Sequence, residues 1–293
     1  MKIVWGMLKS LGEYQRLAAR VDEKLRTLTN GELSIETVLF DKDPADPLKE
    51  IERGELHLYQ VNTVQLRHLL PEHSWLRVWE VPFVFKDEDH VEKYIASEHT
   101  KLRLASLETP ALLPLTYSYA GGFCAVVTKR KEPNFSYENL HHIEFGEFDY
   151  ETLTTEEFVE KIVSRLPSSI LSYEINELLT LKPENKAFLN VETTRHRVVA
   201  RISMISKNLL AQLPSQYREV FLKTLTEGLN EERHIIYERA QMNFAALRDD
   251  GLIGVNEGLN KEIQAARYVD RINVDLSATR VIFREQPSDA QRT

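Results

Sequence analysis

The sequence predicts an α/β protein of two interleaved lobes bridged by one long helix. Three observations carry this reading. The first sixty residues alternate strand, helix, strand, helix, strand with short connections, the pattern of a parallel sheet covered by helices. A stretch of helical period runs from Leu213 to Asp250 and carries two separate apolar rows. No repeat, low-complexity tract or linker divides the chain, so two lobes must exchange several crossings.

In order, Ile3–Trp5 reads as a buried strand. Residues 14–28 have helical period, with Leu17, Val21, Leu25 and Leu28 on one side and Asn30-Gly31 as the stop. Residues 33–40 alternate as a strand, 44–53 form a short helix ended by Gly54, and 56–61 form a third strand. The aromatic segment Glu80-Val81-Pro82-Phe83-Val84-Phe85 reads as core, and helices follow through Leu107. Strands are expected over 111–119 and 123–128 around the pair Gly121-Gly122, where a sharp backbone change fits glycine. Further strands are expected over 143–150, 187–191, 198–205 and 280–283. Helices are expected over 154–166 and 263–272.

Over 213–250, Tyr217, Phe221, Leu225 and Leu229 form one row, and Ile236, Ala240, Phe244 and Leu247 form another. Between them lies the polar insert Asn230-Glu231-Glu232-Arg233-His234. A helix on one core keeps a single apolar stripe. Two stripes with a wet middle describe a beam about 50 Å long, each end in a different core. Breakage near Gly228 into two helices is the competing reading.

The chain has 293 residues, 42% of them hydrophobic and 28% charged, enough for two cores. A formal net charge of -8 disfavours nonspecific nucleic-acid binding and an anionic membrane surface. Cys124 is the only cysteine, which excludes an intrachain disulfide and a cysteine-rich metal site. No apolar run approaches 18 residues, so no membrane-spanning helix is expected. The chain opens on a strand with no leader, which fits a cytoplasmic protein or one whose leader has been removed.

No catalytic constellation emerges. Adjacent His141-His142 on a strand point to opposite faces and cannot easily share one metal. The other histidines lack zinc spacing, and Cys124 has no visible activating partner. No phosphate-binding glycine loop or nucleophile elbow occurs. No cofactor is expected. Glu144, Glu147 and Asp149 form an acidic strand face, either a solvated edge or a cleft wall.

Several segments together resemble the periplasmic solute-binding proteins of TRAP transporters, the dicarboxylate-receptor type. They are Thr29-Asn30-Gly31-Glu32-Leu33, the turn Glu52-Arg53-Gly54-Glu55-Leu56-His57, the segment from Val81 to His90, and Ser206-Lys207 leading through Leu213-Pro214 into the long helix. The resemblance implies a two-lobed periplasmic-binding-protein-like fold with a long helix spanning both lobes. Residues 1–118 and 205–250 would form the first lobe, and 119–204 and 251–293 a reduced second lobe. It also implies capture of a small organic solute, delivery to TRAP membrane subunits, and a periplasmic location. Family members grip a ligand carboxylate with a second-lobe arginine, whose planar fork suits it. Here Phe145-Gly146 stands where that arginine is expected, and Phe123-Cys124 where a second one lies in some members. Arg165, Arg195 and Arg197 are candidate replacements.

Ligands of parallel sheets sit beyond the strand carboxyl ends. The expected first-lobe wall is therefore Trp5, Tyr14, Asn62 and Glu80, facing Phe123 and Glu147 of the second lobe. Such a wall is aromatic and acidic and suits a neutral or cationic solute better than an anion. The alternative function is a descendant that binds no organic acid and serves as an interaction or signalling module.

Overall fold

The computed structural model describes residues 1–9, 12–41, 43–80, 84–85, 87–129, 143–145, 170–174, 184, 189–192, 197–250 and 254–256. The chain opens β1 (Lys2–Leu8), α1 (Gly12–Leu28), β2 (Ser34–Phe40), α2 (Pro47–Glu52), β3 (Leu58–Asn62). The strand–helix alternation expected from sequence is thus observed. β1 pairs in parallel with both β2 and β3. It runs through Gly6 to Leu8, so the strand end lies three residues beyond Trp5.

Next come α3 (Thr63–Leu69), a 3-10 turn (Ser74–Trp79), α4 (Glu88–Ala96) and α5 (Glu98–Ala105). Short polar residues start these helices. Asn62 accepts from the Val64 N–H at 2.9 Å, Asp87 from His90 at 2.9 Å and Ser97 from Thr100 at 3.2 Å, each satisfying an orphan donor of the first turn.

β4 (Leu112–Lys129) is one strand of 18 residues, not two. Its first part pairs antiparallel with β8 (Val198–Ser206), and its second part with β6 (Ile170–Glu174) and β7 (Leu189–Glu192). The register shifts between Tyr119 and Phe123, where Gly122 has φ 81°. A side chain at Gly122 would bring its Cβ within 3.0 Å of the Ala240 Cβ. The glycine therefore supplies both the left-handed backbone and the close approach of the long helix. The sheet order is β2-β1-β3-β8-β4-β6-β5, where β5 is Ile143–Phe145; β7 pairs with β4 and β9 (Gly254–Asn256). β8 residues Arg201–Ile205 pair antiparallel with β3. The partition that assigned 119–204 to the second lobe therefore cuts inside this pairing. The helices expected over 154–166 and 263–272 and the strand over 280–283 lie outside the described residues.

After α6 (Lys207–Gln212), the beam is a single helix, α7 (Ser215–Asp250), of 36 residues. At 1.5 Å per residue it is about 54 Å long. Gly228 does not break it. A Cβ there would lie 3.0 Å from Leu17 Cδ1 and 3.1 Å from Val21 Cγ2, so the glycine lets α1 pack close at this point.

Alternate strand residues feed two cores. Ile3, Trp5, Met7 and Leu58 join α1 and the Phe221, Leu225 and Leu229 row of α7. Tyr59, Val61, Ile202 and Met204 join α2 to α4, with Ile236 and Tyr237 from further along α7. The first apolar row thus serves one core, and of the second row Ile236 reaches the other. The middle of the beam is only partly wet: Glu231 and His234 are exposed, whereas Glu232 and Arg233 are 1% and 6% exposed. Glu232 pairs with Arg20 of α1 at 2.8 Å, and Arg233 with Glu92 of α4 at 3.1 Å. Burial raises the Glu232 carboxyl above its usual range, and Arg20 opposes that shift.

His57 ties β1 to β3. Its Nδ1 accepts the Val4 N–H at 2.9 Å, and its backbone N–H donates to the Val4 carbonyl at 2.9 Å. Burial lowers its pKa below 6.5. The folded state then binds fewer protons than the unfolded one. Its contribution is complete above pH 6.5 and is lost as pH falls through the lower folded value. Urea melts at pH 7.5 and 5.5 should show wild type losing more stability on acidification than His57→Asn. Identical pH dependence would remove the role assigned to this ring.

Candidate functional site

The carboxyl ends of β1, β2 and β3 lie together, with α1 and α3 starting from this edge. Arg201 of β8 stands opposite Asn62, the last residue of β3. Its Nη1 donates to Asp43 Oδ1 at 2.9 Å and to the Gln60 carbonyl at 2.9 Å, and its Nη2 to Asp43 Oδ2 at 3.1 Å. Tyr59 donates to the same Asp43 Oδ1 at 2.6 Å. Burial alone would raise the Asp43 carboxyl, but the charge and hydrogen bonds of Arg201, with the Tyr59 hydroxyl, hold it below its usual range. Burial and the adjacent Asp43 push the Tyr59 hydroxyl well up, which keeps it a donor.

One layer deeper, Gln60 Oε1 accepts from Trp5 Nε1 at 2.9 Å. Gln60 pairs with Ser203, and Arg201 with Ser118. All four residues are at most 5% exposed. Gln60 Nε2, Ser203 Oγ, Ser118 Oγ and Arg201 Nε have no hydrogen-bond partner among the described residues. A polar seam therefore runs from the strand ends into the sheet face beneath α1.

The residues expected to form the wall fall in different settings. Trp5 is fully buried in mid-strand, bonded to Gln60, and does not stand at a strand end. Tyr14, 1% exposed, donates its hydroxyl to the Tyr119 carbonyl. Asn62 is half-buried at the end of β3 and caps α3. Glu80 is half-buried and pairs with Arg67, whose Nη2 lies 3.0 Å from Oε2. Phe123 is 4% exposed and packs in the core that holds Tyr119 and Tyr237. Glu147 lies outside the described residues, as do Asp149, His141, His142, Arg165 and Arg195. Arg197 is buried just before β8, and its carbonyl accepts from the Cys124 N–H at 2.7 Å.

Arg201 and Asp43 were not singled out from sequence. The available signal was a lone charge inside the apolar run Val198-Val199-Ala200-Arg201-Ile202, since arginine is almost never fully buried without a partner.

No family model matches the chain, and no curated protein matches it in sequence. Solved structures do match in shape. The sugar acid binding protein of Advenella mimigardefordensis, in complex with galactonate, superposes with a TM-score of 0.74 at 15% identity, covering 97% of each chain. A TRAP periplasmic solute-binding protein of Sulfurospirillum deleyianum with bound succinate gives 0.72 at 14% identity, over 96% of this chain and 98% of that one. One from Ochrobactrum anthropi, whose C-terminus occupies its ligand-binding pocket, gives 0.72 at 14%, over 97% of this chain and 88% of that one. At such identity the likeness is one of architecture, and the fold of this chain is the two-lobed fold of the TRAP periplasmic solute-binding proteins.

Proposed function

We propose that this chain is a TRAP-type extracytoplasmic solute-binding protein, which captures a small organic solute in the periplasm and passes it to membrane transport subunits. It acts by binding and release, without catalysis. The observation that carries this reading is the end-to-end match to solute-binding structures, two of which hold succinate and galactonate. The strand-end edge with Asn62 and the Arg201–Asp43 pair supports it locally, because ligands of such sheets bind there.

The solute class differs from that of the acid binders. Phe145-Gly146 replaces the expected clamp, Glu144 and Glu147 neighbour it in sequence, and Arg201 already has its carboxylate. An uncompensated carboxylate ligand in a closed cleft costs several kcal/mol. Asn62, Tyr14, Glu80, Phe123 and Glu147 would line a site for an uncharged or cationic solute.

The test is a thermal-shift and calorimetry panel of polyols, amides, amines and dicarboxylates. A ligand at about a hundred times its Kd adds about 2.7 kcal/mol of stability. One uncharged or cationic class should bind, and Asn62→Ala should weaken it. Micromolar binding of a dicarboxylate or of sialic acid would overturn the charge preference.

One observation favours an interaction module instead. Tyr14, Glu80 and Phe123 are already engaged within the protein, as in a cleft filled by its own side chains. A panel without any response, with Asn62→Ala altering stability alone, would select that reading over solute capture.

A further inference from the structure

Arg201 presents a complete carboxylate-binding fork at the strand-end wall, and the carboxylate in it comes from the protein. We propose that Asp43 is an internal stand-in for a ligand carboxylate: it occupies the fork of Arg201 and excludes organic acids. This inference rests on the solute-binding reading above and names the residue that sets the charge of the solute.

The geometry is that of ligand recognition. Two parallel N–H bonds of 2.9 and 3.1 Å join the guanidinium to both Asp43 oxygens, the bidentate arrangement that gives arginine its selectivity for carboxylates. The donors are fixed from behind. The Gln60 carbonyl holds Arg201 Nη1, and the Tyr59 hydroxyl supplies a third donor to the same carboxylate. The pair is also oriented. The Arg201 side chain is 6% exposed and that of Asp43 is 24% exposed, so the carboxylate is the more accessible partner of the pair. Opposite Arg201 stands Asn62 at the end of β3, so a solute at the strand ends meets Asp43 before Arg201.

Asp43 has little other structural work in its loop. Asp46 caps α2 through the Lys49 N–H at 3.1 Å, and Gln65 anchors the Pro44 carbonyl at 2.5 Å. Shortening Asp43 should therefore leave the loop in place and the three donors of Arg201 and Tyr59 aimed at an empty position. An acid entering from the strand ends could then replace the missing carboxylate.

The experiment uses the full chain as wild type, Asp43→Ala and Asp43→Ala/Arg201→Gln. Thermal shift and calorimetry are run with formate, acetate and succinate against chloride at matched ionic strength. Asp43→Ala should melt below wild type, recover part of the loss with acetate and succinate, and bind succinate at least tenfold more tightly than wild type. The double variant should show no such response. Equal succinate binding by wild type and Asp43→Ala would overturn the proposal. Rescue by formate alone would also overturn it, since that marks a closed ion-pair cavity rather than a site open to solutes. If Asp43→Ala is recovered unfolded, refolding yield is the readout: a yield raised by succinate but not chloride supports the proposal, and equal yields refute it. Failure of the wild-type panel would sink solute capture without touching this result, and failure here leaves that panel valid.

Discussion

Arg233→Ala should lower the unfolding free energy by about 3–5 kcal/mol, the cost of breaking a buried ion pair from one side. Arg233 Nε and Nη2 donate to the two Glu92 oxygens at 3.2 and 3.1 Å. Its Nη1 donates to the Tyr117 carbonyl at 3.0 Å and to Asn230 Oδ1 at 2.6 Å. The guanidinium also lies 6.0 Å from the centre of the Tyr119 ring, whose hydroxyl donates to Glu92 at 3.0 Å. One side chain therefore fastens the middle of α7 to β4 and α4. Truncation strands Glu92, whose side chain is 26% exposed, and leaves the Tyr117 carbonyl without this donor. Urea melts are the measurement. The exposed Arg218→Ala on the same helix should stay within about 0.5 kcal/mol of wild type. Glu92→Ala combined with Arg233→Ala should cost less than the sum of the single changes. A loss below 1 kcal/mol for Arg233→Ala would mean the network contributes no more than an ordinary hydrogen bond.

That network also marks the limit of what the sequence discloses. The two apolar rows of α7 are written in local spacing, so the beam and its two cores could be read directly. The burial of Glu232 and Arg233 could not. Arg233 meets Glu92 across 141 positions and Tyr117 across 116, and no local pattern encodes those pairings. β1 to β3 were legible because their connections are short and their periods clean. The end of β1 was placed at Trp5, whereas the strand continues through Gly6 in register with Val38. The glycine pair read as a boundary between two strands. Instead it is an irregularity inside one strand, needed because α7 crosses there. The site followed the same rule. Asn62 was placed at the end of β3 because strand ends can be located from sequence. The Arg201–Asp43 pair spans 158 positions and became visible only when β8 was seen to lie against β3.

The aromatic segment before α4 was read as core, and that reading leads to the second large effect. Trp79→Ala should destabilise the protein by about 3–5 kcal/mol, the range for removing a buried large aromatic. Trp79 is 2% exposed. Its ring centre lies 5.1 Å from Phe85, 5.6 Å from Tyr94 and 5.1 Å from Tyr117. It thus joins the 3-10 turn, the segment leading into α4, α4 itself and β4 in one cluster, at separations where aromatic pairs attract beyond their buried area. Trp79→Phe should cost less, since it retains a ring. The exposed Met242→Ala, at 72% exposure, should be near neutral. Thermal melts and near-ultraviolet dichroism would report the loss of packing. The change should leave the Arg201–Asp43 pair in place wherever the variant is still folded, although Phe123 and Glu80 of the candidate wall adjoin the Trp79 core. Tyr59, Val61, Ile202 and Met204 turn to the Trp79 core, whereas Gln60 and Arg201, one residue out of phase, turn to the opposite face. A Trp79→Ala protein that stays fully folded yet loses its solute would place the binding wall on the aromatic face and move the candidate site away from Arg201.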